Sequence, residues 1–225
     1  MITSLTLNDL CRYTSLQLNN LFPDNEVVNL LIDKVSVSLA LDRLEFCFKE
    51  VSLKNYFDGK EAKFNHLFSD HYVMFLWFLS NSVWRDKGNC SLASKIYYLN
   101  KSLHGLDCMY DTKMPNIFLI FHGVGTMLGK AEYNDYFVVL QGCTVGSQKG
   151  RYPKFGKGVS ITANSSVIGD CQIGDRASIS TRTTIFEKKI EHNTTTFVNL
   201  DTGKIESKIT KSCYAQQFFN TDLNN

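Results

Sequence analysis

The strongest constraint in this sequence is a six-residue period in its second half. A large apolar residue recurs at every sixth position, and a small residue follows four positions after each of the first five. The large residues are Phe155, Ile161, Val167, Ile173, Ile179 and Ile185, and the small ones are Val159, Ser165, Cys171, Ala177 and Thr183. A six-residue period fits neither a helix nor a plain strand. It predicts a left-handed parallel β-helix, in which three short strands make each turn and each strand places one large side chain inside.

The same period extends backward to Val145, Val139 and Tyr133, with two interruptions. One residue is missing between Leu128 and Tyr133, and the segment "GSQKGRYPK" (146–154) holds too many residues for one repeat. The second interruption predicts a loop that leaves the coil.

The chain before residue 105 has a helical pattern instead. Apolar residues recur at intervals of three and four in residues 25–51, 70–88 and 92–105, and Gly105 is a helix-stop residue. The apolar and polar residues of 35–46 also alternate with period two, so a strand is an alternative for that segment. We therefore expect an α+β chain with a helical N-terminal domain at 1–105, a β-helix at 106–200 and a C-terminal tail at 201–225.

Composition excludes several classes of function. The net charge is +2 and the basic residues are scattered, so we expect no nucleic-acid partner. No apolar run is long enough to span a bilayer and no secretory signal is visible, which predicts a cytoplasmic protein without membrane insertion. Seven cysteines at irregular spacings, without a Cys-x-x-Cys pair, predict reduced thiols and no metal site.

A histidine stands just before two glycines in "FLIFHGVGTMLG", residues 118–129. A lone histidine in an apolar run is most often a core residue whose ring nitrogens bond to backbone. Here the phrase His-x-x-Gly-x-x-x-Gly (His122, Gly125, Gly129) opens the coil, and Asp107 stands fifteen residues earlier. Together with the repeat, this phrase resembles the hexapeptide-repeat acyltransferases, and within them the serine acetyltransferase family.

The resemblance implies a fold, an assembly and a site. Members of the family place a helical domain before the coil, assemble as trimers, often as pairs of trimers, and bind acetyl-CoA between neighbouring coils. It implies that His122 is the catalytic general base and that Asp107 is its carboxylate partner. A carboxylate on one ring N–H fixes the tautomer and stabilises the imidazolium that forms. A turn or helix-cap role is the structural alternative for Asp107.

Two further segments carry the resemblance, "VVLQGCTVG" (138–146) and "GRYPKFGKGVSITA" (150–163). Arg151 falls where the family has a substrate-contacting arginine, and Ala163 falls where a backbone N–H holds the pantetheine arm. Gly146 permits close approach of a ligand or a neighbouring subunit. Lys157 and Arg182 are candidate partners for the CoA phosphates, although a solvated surface explains such residues equally well.

This sequence departs from the family pattern at two positions that contact the acceptor in the family. Phe121 replaces the acidic residue before the histidine, and Tyr152 replaces a second active-site histidine. Without the acidic residue, the ammonium group of serine lacks its charge partner. We therefore predict an acetyl-CoA-dependent O-acetyltransferase that acts on a sugar or polysaccharide-precursor hydroxyl. Serine O-acetylation, amino-sugar N-acetylation and a non-catalytic β-helix scaffold are the alternatives.

Overall fold

The structure, a computed structural model, describes residues 1–223. Its first half is a group of four helices with a small two-stranded parallel sheet. The helices are α1 (Leu7–Leu21), α2 (Lys34–Lys49), α3 (Ser69–Lys87) and α4 (Cys90–His104), and the strands are β1 (Ile2–Thr3) and β2 (Lys63–Phe64). Gly105 ends α4 in the left-handed conformation, with φ of 65°, as its position in the sequence predicts.

Residues 35–46, for which a strand is the alternative in the sequence, belong to helix α2. Its buried residues lie three and four positions apart, which is helical spacing; they are Ser36, Val37, Ala40, Leu44, Cys47 and Phe48. Helix α3 is buried along almost its whole length and packs against both α2 and α4. It is the central helix of this region, and its middle turns lie against the coil, where Trp77 and Phe78 both contact Phe118.

The second half is a parallel β-helix with three faces, confirming the predicted coil. The first face is built from β3 (Phe118–Ile120), β5 (Phe137–Val139), β8 (Ser160–Ile161), β11 (Ser178–Ile179) and β14 (Thr194–Val198). The second is built from β4 (Met127–Leu128), β6 (Thr144–Gly146), β9 (Ser166–Ile168) and β12 (Thr184–Phe186). The third is built from β7 (Lys154–Phe155), β10 (Gln172–Ile173) and β13 (Lys189–Ile190).

The large residues of the six-residue period form three interior columns. Strand register places Val139, Ile161 and Ile179 in one column, Val145, Val167 and Ile185 in the second, and Phe155, Ile173 and Ile190 in the third. All nine side chains are buried. The loop predicted at the second interruption of the period also exists, because residues 147–152 leave the coil between β6 and β7.

The segment after the coil turns back along the first face. Strand β15 (Ile205–Ile209) pairs antiparallel with β14, and a 3₁₀ helix follows at Tyr214–Phe218. The backbone then reaches α2, where Ser52 N–H donates to Phe218 O and Asn220 N–H donates to Glu50 O. The predicted tail, residues 201–225, is thus attached to both halves of the molecule, with its last two residues outside the described part.

Two expectations from composition can be compared with the described residues. Within residues 1–223 the cysteines form no disulfide, and six of the seven are buried as small core residues, whereas Cys90 is exposed. Within residues 1–223, no helix has the length and apolar character needed to cross a membrane.

Candidate active site

The coil has three corners, and the predicted site residues are distributed over all of them. We call the turn between the first and second faces the histidine corner (residues 121–126, 140–143, 162–165 and 180–183). The turn between the second and third faces is the arginine corner (129–131, 147–153, 169–171 and 187–188). The turn from the third face back to the first is the lysine corner (134–136, 156–159, 174–177 and 191–193).

His122 occupies the bottom layer of the histidine corner. Its φ of 54° is in the left-handed region. The strand register places Gly125, not His122, in line with Gly142, Asn164 and Arg182 of the layers above, because the bottom turn (121–126) is two residues longer than the others. Successive layers are joined by backbone hydrogen bonds, such as Gly142 N–H to Val124 O. The histidine is therefore a corner residue of the coil, with its side chain directed outward and 62% exposed.

The glycine after this histidine is required by packing. A Cβ on Gly123 would lie 2.4 Å from Ile120 Cγ2, far inside contact distance. The tight turn after β3 therefore explains why a glycine follows the apolar run, and it fixes where the imidazole leaves the coil.

The carboxylate beside His122 belongs to Asp70, in the first turn of α3. Asp70 Oδ2 lies 3.2 Å from His122 Nδ1, and Oδ1 accepts the His122 backbone N–H at 3.1 Å. The Asp70 side chain is only 5% exposed. Burial raises the pKa of Asp70, while the contacts with His122 act in the opposite direction. One carboxylate thus accepts the backbone N–H of the histidine and lies beside its ring.

The predicted pairing of Asp107 with His122 is wrong in this structure. Asp107 forms a parallel bridge with Met127 on the second face, and its oxygens accept hydrogen bonds from Tyr97 Oη (2.6 Å) and Lys101 Nζ (2.7 Å). Burial acts to raise its pKa, but these two hydrogen bonds hold the pKa below the usual value. The bridge shows the reason. Asp107 lies beside Met127 in the coil, five positions beyond His122, and not beside His122 itself.

Phe121 forms an apolar wall beside the histidine. Its ring centroid lies 4.1 Å from that of His122 and 5.3 Å from that of Phe218 in the 3₁₀ helix. The tail therefore contributes to the surroundings of His122. No sequence pattern indicated that contact.

Two of the predicted CoA-binding residues lie on the histidine corner. Ala163 and Arg182 are in adjacent layers, where Arg182 N–H donates to Ala163 O. The N–H of Ala163 itself meets no acceptor within residues 1–223. Ala163 lies two layers above His122, a distance of about 10 Å at the usual strand spacing.

The other predicted residues lie elsewhere. Gly146 ends β6 directly before the arginine corner, and Arg151 and Tyr152 lie within that corner. Arg151 Nη1 lies 3.7 Å from Asp170 Oδ2, and both Arg151 and Tyr152 are exposed. Lys157 is at the lysine corner, with its ammonium 5.0 Å from the Tyr136 ring. A single chain therefore does not bring these residues to His122. Among the described residues, no group of three histidine, cysteine or acidic side chains could hold a metal ion.

A parallel coil of six-residue repeats with a helical region before it has the architecture of the hexapeptide-repeat acyltransferases. Within that class, the chain resembles the serine acetyltransferase family. It is 31% identical over 87 residues to a serine acetyltransferase of Synechococcus elongatus, a match that covers 36% of this chain and 36% of that protein. The matched part thus spans about a third of the curated relative.

Solved structures show the same fold over a larger part of the chain. The crystal structure of Neisseria gonorrhoeae serine acetyltransferase has a TM-score of 0.66 at 19% identity, covering 94% of this chain and 83% of that one. A serine acetyltransferase in complex with CoA has a TM-score of 0.65 at 16% identity, covering 86% and 82%. No family model matches the chain.

Proposed function

We propose that this protein is an acetyl-CoA-dependent O-acetyltransferase with His122 as its general base. The observation that carries the proposal is the geometry of His122, whose exposed ring has one nitrogen against the buried carboxylate of Asp70. That arrangement leaves Nε2 as the acceptor for a proton from outside. General-base catalysis by a positioned imidazole contributes roughly a hundred- to ten-thousand-fold.

The reaction follows from these positions. Nδ1 of His122 lies 3.2 Å from Asp70 Oδ2. With the ring proton on Nδ1, Nε2 removes the proton of the acceptor hydroxyl as its oxygen attacks the thioester carbonyl. The imidazolium formed is stabilised by the Asp70 carboxylate. When the tetrahedral intermediate collapses, the C–S bond breaks and the thiolate of CoA takes that proton. Products are the acetyl ester and CoA thiol, and His122 is neutral again.

The histidine corner supplies the features expected for holding acetyl-CoA. The free N–H of Ala163 suits an amide oxygen of the pantetheine arm, and Arg182 in the next layer suits a phosphate. CoA is bound in one of the similar solved structures, which supports the same ligand here.

We further propose that the site is completed by a second copy of the chain in a homotrimer. The reason is that Gly146, Arg151 and Tyr152 lie at or beside a different corner from His122. A neighbouring coil that presents its arginine corner to the histidine corner would bring them together. Lys157, on the lysine corner, has no role in this arrangement.

Two acceptors are supported by different observations. The apolar wall of Phe121 and Phe218 offers no charge partner for an ammonium group, and Asp70 is already engaged with His122. This favours a sugar hydroxyl. The similar proteins named above are serine acetyltransferases, which favours serine at least as strongly.

The test is release of CoA thiol from acetyl-CoA by the full chain, with serine, homoserine, free sugars, amino sugars and nucleotide sugars as acceptors. His122→Ala should abolish turnover. His192→Ala is the matched control, because His192 is an equally exposed histidine beside a carboxylate, Asp175, on the lysine corner. Turnover that survives His122→Ala would contradict the proposed base.

The preferred acceptor assigns the substrate class. Turnover with sugars alone supports the sugar hydroxyl, turnover with serine supports the serine acetyltransferase reaction, and an amide product identifies N-acetylation. If no acceptor reacts and CoA does not bind in calorimetric titration, the coil is a scaffold and the proposed activity is wrong.

A further inference from the structure

Arg43 in helix α2 carries a cationic group that forms an ion pair with no carboxylate of the described residues. Its Nη1 donates to Ser82 Oγ at 2.9 Å, and its guanidinium carbon lies 4.9 Å from the Phe78 ring centroid. Within residues 1–223 it forms no ion pair, although it is partly buried. Burial, with the nearby charge of Arg85, lowers the pKa of Arg43 to about 10, while the charge of Asp86 acts in the opposite direction. Arginine in such a place normally pairs with a carboxylate or phosphate.

Arg43 stands between two cavities at the junction of the helices and the coil. The smaller has a volume of about 350 Å³ and includes Asp42 in its wall, and the larger has a volume of about 580 Å³. The larger is lined by three cationic side chains, Arg43, Arg85 and Lys113, and by one acidic side chain, Asp111. Asp111 Oδ2 already lies 3.3 Å from Lys130 Nζ. The cavity therefore has excess positive charge.

The same wall offers an aromatic surface and unused acceptors. Trp84 lines the larger cavity and also a neighbouring one of about 480 Å³ that reaches Tyr152. Asn81 Oδ1 and Asp111 Oδ1 are buried and have no hydrogen-bond partner in the described chain. A ligand with hydroxyl groups beside an anionic group would satisfy both the cations and these oxygens, and a sugar ring can stack on an indole.

We propose that the cavity beside Arg43 binds a phosphorylated sugar, with the phosphate held by Arg43, Arg85 and Lys113 and the sugar against Trp84. A phosphate presents the oxygens that a guanidinium fork recognises. The volume lies in the range of roughly 300 to 1,000 Å³ that small-molecule sites occupy. This inference does not depend on the proposed acetyl transfer, because its readout is binding.

The test is isothermal titration of the full chain with glucose 6-phosphate, inorganic phosphate, glucose, serine and CoA. We expect saturable binding of glucose 6-phosphate, weaker binding of phosphate and none of glucose. Arg43→Gln and Lys113→Gln should each weaken glucose 6-phosphate binding about tenfold or more, since each removes a charge-assisted hydrogen bond. Arg12→Gln is the control, because Arg12 is an exposed arginine of α1 paired with Asp9.

Several outcomes would overturn the proposal. These are absence of glucose 6-phosphate binding, an equal loss in Arg12→Gln, and binding of CoA or serine that depends on Arg43 while glucose 6-phosphate does not bind. If Arg43→Gln does not fold, as judged by circular dichroism, the exposed residues Arg85 and Lys113 carry the test. Unchanged binding in both Arg85→Gln and Lys113→Gln would then reject the site.

Discussion

The helical region and the coil contribute to the candidate site in different ways. The coil repeats its corners from layer to layer, and His122 lies in the bottom turn of the histidine corner, which has six residues (121–126) where each layer above has four. The helical region supplies Asp70 from one particular turn of α3. The repeating coil therefore carries the turn that holds the base, and a single contact from the helical region orients it. The difference predicts which changes abolish activity and which weaken the fold.

The largest expected effect is a difference in kcat between the substitution of Asp70 and the substitution of Asp107. Asp70→Asn should lower kcat by roughly a hundred- to ten-thousand-fold, because the imidazole loses the carboxylate that sets its tautomer and stabilises its charge. Asp107→Asn should lower kcat far less, since that carboxylate is bound by Tyr97 and Lys101. Steady-state kinetics on both variants check this, with thermal unfolding as the control for folding. A larger loss in Asp107→Asn would restore the pairing expected from sequence spacing.

A smaller effect, on the free energy of unfolding, is expected when a buried side chain is truncated in the core of each region. Ile179→Ala should lower the free energy of unfolding by about 3 to 5 kcal/mol, the upper part of the range for removing a buried branched chain. The reason is that hydrogen-bonded strands above and below Ile179 hold the cavity open. Leu44→Ala in α2 should cost less, because helices can shift to fill the space. Chemical denaturation measures both, and a greater cost at Leu44 would contradict this view of the coil.

The smallest effect concerns a buried histidine of the helical region. Burial lowers the pKa of His71 to about 4, and its Nδ1 accepts the Asn65 N–H. The unfolded chain binds this proton more readily, so stability is lost as the pH falls from about 6.5 toward 4. The loss from this residue should be about 2 kcal/mol at pH 5.

Denaturation midpoints at pH 7 and pH 5 measure this loss. His71→Gln should reduce the difference between the two midpoints. An unchanged difference would show that other groups cause the acid sensitivity.

The coil was predictable because its six-residue period is visible directly in the sequence. The interior columns follow from the six-residue spacing, and the loop at 147–152 follows from its second interruption. His122 is predicted instead by the phrase that it forms with Gly125 and Gly129. The partner of His122 was not predictable in this way. Asp70 lies 52 residues away on a helix, and no local pattern distinguishes it from other acidic residues in a first turn. The fifteen-residue spacing to Asp107 predicted the wrong carboxylate, because the distance along the chain does not give the stacking in space.

The contacts of the tail and of Arg43 were not predictable from local sequence patterns either. Phe218 reaches Phe121 only because the chain turns back over the first face. Arg43 looks like an ordinary surface residue in the sequence, and only the packing of α2 against α3 shows that its guanidinium lies over Phe78.

The return of the tail to α2 also bears on the order of folding. Ser52 Oγ bonds to Gln217 O across 165 residues of chain. The ribosome therefore makes the helices and then every turn of the coil before this contact can form. During that interval, the side of Phe121 that will meet Phe218 is uncovered, and pairings over such sequence distances form slowly. A growing chain would hold its histidine in place while the wall beside it is still incomplete, so that assembly of the site is among the last events of synthesis.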